Sequence, residues 1–516
     1  MARYKPIERG QGYFLTIYPD LIFEDNSIEK VIDKFIDEIV DTSAFDVKYH
    51  NDIAGQKAIS PKSKLKVIIY ALSQGIESLR KIDKLLKLSH PAYLFLSGGI
   101  TIDHSTLSIF INTFQDEISG IFARVIYILE ELKMIDWDRI MIDGTRVSSN
   151  ASKNFTDDAK GFAKKLERYE NLSAKLLVRA KYIEELAEKD EISEEELQKE
   201  KDLIAKQQNQ YNLTINKLQA YENELKEKEK KEDDLKKKSK LSSLKINLTD
   251  RESKLLEKHG TFVQGYNVQA AFSSNDIILS IEATSESNDK TMLKYMVNNV
   301  EKLKEKHMVE SESQYLLDKG YFNGKEMTEL IKEGKDLYIA PSSTFTSSWF
   351  ITGEHEIKEE DDGIYLQCKG GLRKKGTFKT TTKSYEFSMK RSTCEGCEYF
   401  SSCFENDSKK KKQKEKKCRV FSVTEEYVKN KDFWFKYRDL VKTEEWKFVY
   451  NKRIGKEHNF FDIKYNNGLN RINFRGKSKC NSIALLSGTS YNLKKLQKGL
   501  GNIAWDEVKK VIEVNN

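Results

Sequence analysis

Apolar residues recur along this chain at three different periods, and each period marks a region. Ile28, Val31, Ile32, Phe35 and Ile39 trace one helical face. Asn26 reads as its N-cap, with Glu29 three residues on as capping-box partner, so a helix is expected to about Val40. Ser60-Pro61 opens a second helix with proline at its first position, and Leu65, Ile68, Ile69 and Leu72 line its buried face. A helical stretch at 78–88, a glycine loop at Ser97-Gly98-Gly99 and a polar-started helix at 103–114 fit a helix-turn-helix and equally a small helical bundle. A helix over 114–132 closes this part.

The period then changes. Ile140, Met141 and Ile142 form a short continuous apolar run, a buried strand expected to end at Asp143-Gly144. Over 157–240 the spacing returns to threes and fours. Phe162, Leu166, Tyr169, Leu176, Ile183 and Ala187 mark one helix. Ser193 with Glu196 starts another, in which Leu197, Ile204, Tyr211, Leu218 and Leu225 recur every seventh residue. This predicts an antiparallel helical hairpin with a coiled-coil seam, made imperfect by Gln208 and Glu222. Strands at 265–272 and 277–284 flank a turn cluster and form a β-hairpin. A helix at 289–304, a strand at 314–317 ending at Asp318, a helix at 323–333 and a strand at 337–340 follow. A hairpin joined to βα units makes a mixed α/β sheet with helices on its faces. Residues 345–435 carry strands at KSYEFSMK and GIYLQCKG within basic, loop-rich sequence, and the remainder is mostly helical.

Composition changes this picture little. The net charge of +7 is the small remainder of many cancelling charges, but Lys409–Lys417 and the stretch from Lys452 to Arg475 are locally basic, which suits a phosphate backbone. The first residues lack an apolar signal segment, and no run of about 18 apolar residues occurs, so a soluble, cytoplasmic protein with no membrane contact is expected. Six cysteines in 516 residues do not make a disulfide framework. Cys394-x2-Cys397-x5-Cys403 has zinc-like spacing, with Cys368 or Cys418 as a possible fourth ligand; free thiols are the alternative, and Cys480 reads as core. Neither His104 nor His458 has partners for nucleophilic catalysis.

The candidate chemistry lies in carboxylates. Asp143 and Asp318 each stand where an apolar strand gives way to glycine-containing sequence, and ligands of open α/β sheets bind beyond such strand ends. Read as one helix, Tyr450, Arg453, Glu457 and Lys464 share a face within about 60°. A glutamate between two cations is ordinarily a surface ion pair. With the two aspartates it becomes a three-carboxylate oxygen site suited to Mg2+ or Mn2+, and two such metals about 4 Å apart serve in-line phosphoryl displacement. Arg453 and Lys464 can then hold phosphates, and Tyr450 can hydrogen-bond a phosphate or stack on a base.

Tyr450, Arg453, Glu457 and Lys464 realise the pattern Y-x2-R-x3-E-x6-K, which resembles the C-terminal signature of bacterial insertion-sequence DDE transposases. IMIDGTRVSSNAS, LLDKGYF, TDRESKLLEKHG, GYNVQAAF, DHSTLSIF and the tail NRINFRG…YNLKKL are similar to the same family, so the resemblance spans nearly the whole chain. It implies a ribonuclease-H-like catalytic sheet in which Asp143, Asp318 and Glu457 bind Mg2+ or Mn2+, with Tyr450, Arg453, Lys464 and Arg475 on DNA. It implies cleavage at transposon ends and strand transfer into target DNA, by a homodimer on DNA in the bacterial nucleoid. The alternatives are a catalytically inactive, co-opted DNA-binding protein and a metal-dependent nuclease without strand transfer. On this reading 1–132 is a helical DNA-binding domain, and 133–156, 241–344 and 436–516 build the catalytic core. Residues 157–240 are then the inserted hairpin and 345–435 a β-rich insertion with a possible zinc knuckle. Lys456 and His458 depart from the apolar residue and proline that the family more often places around the glutamate.

Overall fold

The computed structural model describes residues 18–49, 57–189, 191–233, 245–258, 260–342, 345, 353–404, 418–454, 458–501, 505 and 508–510. Its centre is a six-stranded mixed sheet. Strands β1 (Arg139–Ser148), β2 (Lys254–Lys258), β3 (Thr261–Phe272), β4 (Ile278–Thr284), β5 (Gln314–Leu317) and β6 (Asp336–Ile339) build it. The order runs β2-β3-β1-β5-β6, with β4 also on β3. β3 is long enough to share one edge between two partners: Thr261–Gly265 pairs β2, and 267–272 pairs β4. β1 lies antiparallel to β3 on one side and parallel to β5 on the other. The expected hairpin and βα units are therefore present, and β2 is a strand that the apolar pattern does not reveal.

The N-terminal helices are α1 (Ile28–Lys34), α2 (Pro61–Ser73), α3 (Leu79–Lys87), α4 (Pro91–Ser97), α5 (His104–Thr113) and α6 (Gln115–Glu131). Ser60 caps α2 as expected. Ser27, not Asn26, caps α1, accepting from the Lys30 N–H at 3.3 Å. The helix-turn-helix expectation omitted α4, which fills the stretch between α3 and the glycine loop; Gly98 ends it at φ +67°. These helices do not stand apart from the sheet. Val31, Ile68, Ile126, Ile140, Leu317 and Leu486 belong to one continuous apolar core.

Two long helices, α7 (Ala159–Glu188) and α8 (Glu194–Asp233), follow β1. Contacts pair Glu184 with Lys201, Ser173 with Gln208, Tyr169 with Tyr211 and Phe162 with Tyr221, so the helices run antiparallel. Ser193 and Glu196 form the expected reciprocal cap. The two polar seam positions find partners: Gln208 donates to Ser173, and Glu222 pairs with Lys226 at 2.5 Å. α9 (Leu293–Lys306) and α10 (Gly324–Lys332) follow β4 and β5.

Between β6 and the C-terminal helices lie two small antiparallel sheets, β7 (Glu356–Glu360), β8 (Gly363–Gln367) and β9 (Arg373–Lys375), then β10 (Thr377–Lys379), β11 (Ser384–Lys390) and β12 (Cys418–Thr424). They enclose a core of their own around Leu366 and Phe387. The basic run Lys409–Lys417 lies outside the described residues. The chain ends with α11 (Lys431–Leu440), α12 (Glu444–Asn451), α13 (His458–Phe461) and α14 (Lys477–Leu500). No helix among the described residues is long and apolar enough to cross a membrane.

Candidate active site

Parallel pairing of β1 with β5 runs from Arg139↔Gln314 to Ile142↔Leu317. Continuing that register sets Asp143 beside Asp318, where the two strands part. The buried runs Ile140–Ile142 and Tyr315–Leu317 hold both strands in the core beneath them. β5 stops because the Asp318 carboxylate accepts from the Gly320 N–H and turns the chain into a short 3-10 helix. β1 does not stop at Asp143-Gly144 as its sequence suggests. β3 still offers partners, from Gly144↔Gln269 to Ser148↔Gly265, and the strand continues to Ser148.

A third carboxylate joins the pair. Asp289, expected only as a helix start, accepts from Asn267 Nδ2 at 2.7 Å and Gln269 Nε2 at 2.8 Å. A Cβ on Gly144 would come within 2.8 Å of Asp289 Oδ1, and one on Gly320 within 2.7 Å of Asp318 Oδ1 and 3.4 Å of Asp289 Oδ2. Both glycines thus leave room that the carboxylates fill. Gln269 also accepts from the hydroxyl of buried Tyr321. A signal for Asp289 did exist in the sequence: Asn267 and Gln269 alternate inside an otherwise buried strand, and buried amides need partners.

Cations face this cluster. Arg453 Nη2 lies 3.9 Å from Asp318 Oδ2. Lys464 feels Asp143, but also Lys258 and Arg146. Burial first, and then those two cations, bring its ammonium down to about 8. Tyr450 stacks on Trp446 at 4.8 Å, and burial raises its phenol against the pull of Arg453. Asp143 is pushed up to about 6, chiefly by burial. Asp318 and Asp289 add to that rise; the Gly144 N–H and Arg453 oppose it.

The expectation of one helix carrying Tyr450, Arg453, Glu457 and Lys464 is corrected here. α12 ends at Asn451 and turns through 452–454; Lys464 sits on a separate π-helical turn, Asp462–Asn466. A single helical face does not bring these residues together. Tyr450, Arg453 and Lys464 lie near the aspartate pair, Lys464 being carried there as Phe460 packs edge-on against Phe272 at 5.4 Å and Ile463 is fully buried. Glu457 lies outside the described residues. Arg475 is exposed and donates to the Asn150 carbonyl at 2.8 Å, beyond the far end of β1 from Asp143. Arg146 and Lys258 are cations near Lys464 that sequence reading did not single out. Cys368, Cys394, Cys397 and Cys403 line one cavity, whereas Cys418 is exposed at the start of β12 and Cys480 is buried in α14.

Hard oxygen donors brought together where the parallel pairing of β1 and β5 ends fit a divalent cation. Among the described residues, no three His, Cys, Asp or Glu side chains already stand as a group that could hold a metal. Residues 368–497 match a family model described as a transposase DDE domain, and residues 19–113 match one described as a transposase domain (DUF772). The first spans Tyr450, Arg453 and Lys464 and neither aspartate of the sheet. No curated protein and no solved structure matches the chain.

Proposed function

Starting from a chain that carries the two transposase domains of insertion-sequence DDE transposases, we propose that it cuts DNA at transposon ends and joins them to target DNA. The observation that carries this reading is the meeting of Asp143 and Asp318 where the parallel pairing of their strands ends, with Arg453 3.9 Å from one of them. The strand order, an antiparallel hairpin followed by parallel βα units, supports a ribonuclease-H-like core. On this reading 1–132 and the α7–α8 arm contact DNA or a second copy, and the protein acts as a dimer on two ends.

Asp143 and Asp318 would hold Mg2+ or Mn2+, with Glu457 as third acid. A divalent cation bound there supplies charge neutralisation at the phosphate and an acidified water. The chain's own residues do the rest. Arg453 and Lys464 hold phosphate oxygens, Arg bidentately and Lys as a point charge. Arg146 and Lys258 extend the positive surface beside Lys464. Tyr450, braced on Trp446, contacts the nucleic acid and is not a nucleophile. Asn267, Gln269 and Tyr321 keep Asp289 and the carboxylate pair in place.

The test is cleavage and strand transfer on the element's own ends with Mg2+, comparing wild type with Glu457→Gln. Activity lost while binding persists supports the triad. Equal activity in both removes Glu457 from it. Binding without activity in the wild type favours a co-opted DNA-binding protein, and cleavage without joining favours a nuclease.

The cations make a separate expectation. Arg453→Ala and Lys464→Ala should each weaken end binding and flatten the log Kd against log salt slope by about 0.9 on duplex DNA. Binding measured from low to moderate salt checks this. An unchanged slope in both variants would take these residues off the phosphate path.

A further inference from the structure

The sheets β7–β9 and β10–β12 enclose a small core, and four cysteines gather at one end of it. We propose that Cys368, Cys394, Cys397 and Cys403 form a structural zinc site that staples the β8–β9 turn to the segment following β11. This site stands apart from the aspartate cluster and does not depend on its reading.

Three observations carry the proposal. First, all four cysteines line a single cavity of about 30 Å3. Second, the two cysteine-bearing turns touch. Cys368 opens a tight turn in which its N–H donates to the Leu372 carbonyl at 2.9 Å and the Gly371 N–H donates back to the Cys368 carbonyl at 2.8 Å. Cys394 and Cys397 bracket another, closed by the Cys397 N–H on the Cys394 carbonyl at 3.0 Å. A Cβ on Gly370 would stand 2.5 Å from Cys397 Sγ, so the backbone of one turn lies directly on the sulfur of the other. Third, the surroundings suit the charge. Four thiolates on Zn2+ carry a net charge of about −2, and Lys369 and Arg419 line the same cavity.

Cys418 is exposed and does not line the cavity, whereas Cys368 does, so we take Cys368 over Cys418 as the fourth ligand; buried His355 lines the cavity too. Binding releases four thiol protons as the four Zn–S bonds form, with no redox change. Among the described residues the four sulfurs do not already stand as a metal-holding group, so zinc would have to gather them as it binds. The staple has a physical purpose. The apolar core here is small, around Ile357, Ile364, Leu366, Phe387, Phe421 and Val423, and cores of that size gain stability from a metal.

The test uses the full chain purified in reducing, chelator-free buffer after growth with zinc. Elemental analysis should find about one zinc per chain, retained in Cys418→Ser and Cys480→Ser and lost in Cys368→Ser and Cys397→Ser. Should those last two fail to fold, the wild type decides. Chelation should lower its melting temperature and expose four additional thiols to a thiol reagent. Cobalt added in place of zinc should give thiolate-to-metal charge-transfer bands. Zinc well below half-stoichiometry, zinc retained in soluble Cys397→Ser, cobalt without thiolate bands, or a Cys394–Cys397 disulfide in the reduced preparation would each overturn the proposal.

Discussion

Asp143→Asn should abolish DNA cleavage and at the same time stabilise the protein near neutral pH in the presence of a chelator. The loss of activity follows from removing one of the two carboxylates at the strand ends, and should reach on the order of 10²–10³-fold or more, as for deletion of one preorganised electrostatic contact. The gain in stability follows from the carboxyl's raised pKa. Folding moves Asp143 from 3.8 to about 6, so the folded state holds its proton more tightly than the unfolded chain. The cost of its charge is missing below pH 3.8, grows as the pH rises between the two values, and is complete above about 6. A rise from 3.8 to about 6 corresponds to about 3 kcal/mol, and Asn removes that cost. Thermal melts of wild type and variant at pH 4 and pH 7.5 separate the cases. A stability gain that is equal at both pH values would mean the charge of Asp143 is not what destabilises the site. Saturating Mg2+ should narrow the gap at pH 7.5, because a bound cation stabilises only the form that keeps the carboxylate.

Asn492→Ala should cost on the order of 3 kcal/mol of stability, since it strands two buried backbone groups at roughly 1–3 kcal/mol each. β4 pairs only β3 among the strands, so its outer edge needs other partners. α14 provides them from within the core. Asn492 Nδ2 donates to the Ile278 carbonyl at 2.8 Å, and its Oδ1 accepts from the Ile278 N–H at 3.0 Å. The side chain is fully buried, which keeps water from replacing it. Asn481 makes one comparable bond, accepting from the Ala283 N–H at 2.9 Å, from a less buried position. Asn481→Ala should therefore cost about 1 kcal/mol, near the net worth of a single hydrogen bond. Denaturant unfolding of both variants checks the ratio; equal losses would mean burial is not what makes Asn492 expensive to remove.

How much of this was legible beforehand depends on the range of the forces involved. The apolar runs before Asp143 and Asp318, the caps at Ser60 and Ser193 and the two long helices α7 and α8 were readable, because each is a local pattern. Ser27 displaced Asn26 as cap by a single position, the ordinary error of reading a helix end without its backbone. The continuation of β1 to Ser148 was not readable, since β3, more than a hundred residues on, decides it. The amides of Asn267 and Gln269 signalled that a partner was needed, but not that Asp289, on another element, supplies it. The single helical face drawn from Tyr450 to Lys464 is absent. The helix ends at Asn451, and packing of Phe460 on Phe272 brings the later residues back.

By itself, then, the sequence determined most of the strands and helices and the carboxylates that follow the apolar runs, since periodicity and capping act over a few residues. Only the tertiary structure decided which of those charges meet. Register between strands far apart in the chain put Asp143 beside Asp318, and burial, which no local spacing reveals, raised the Asp143 carboxyl.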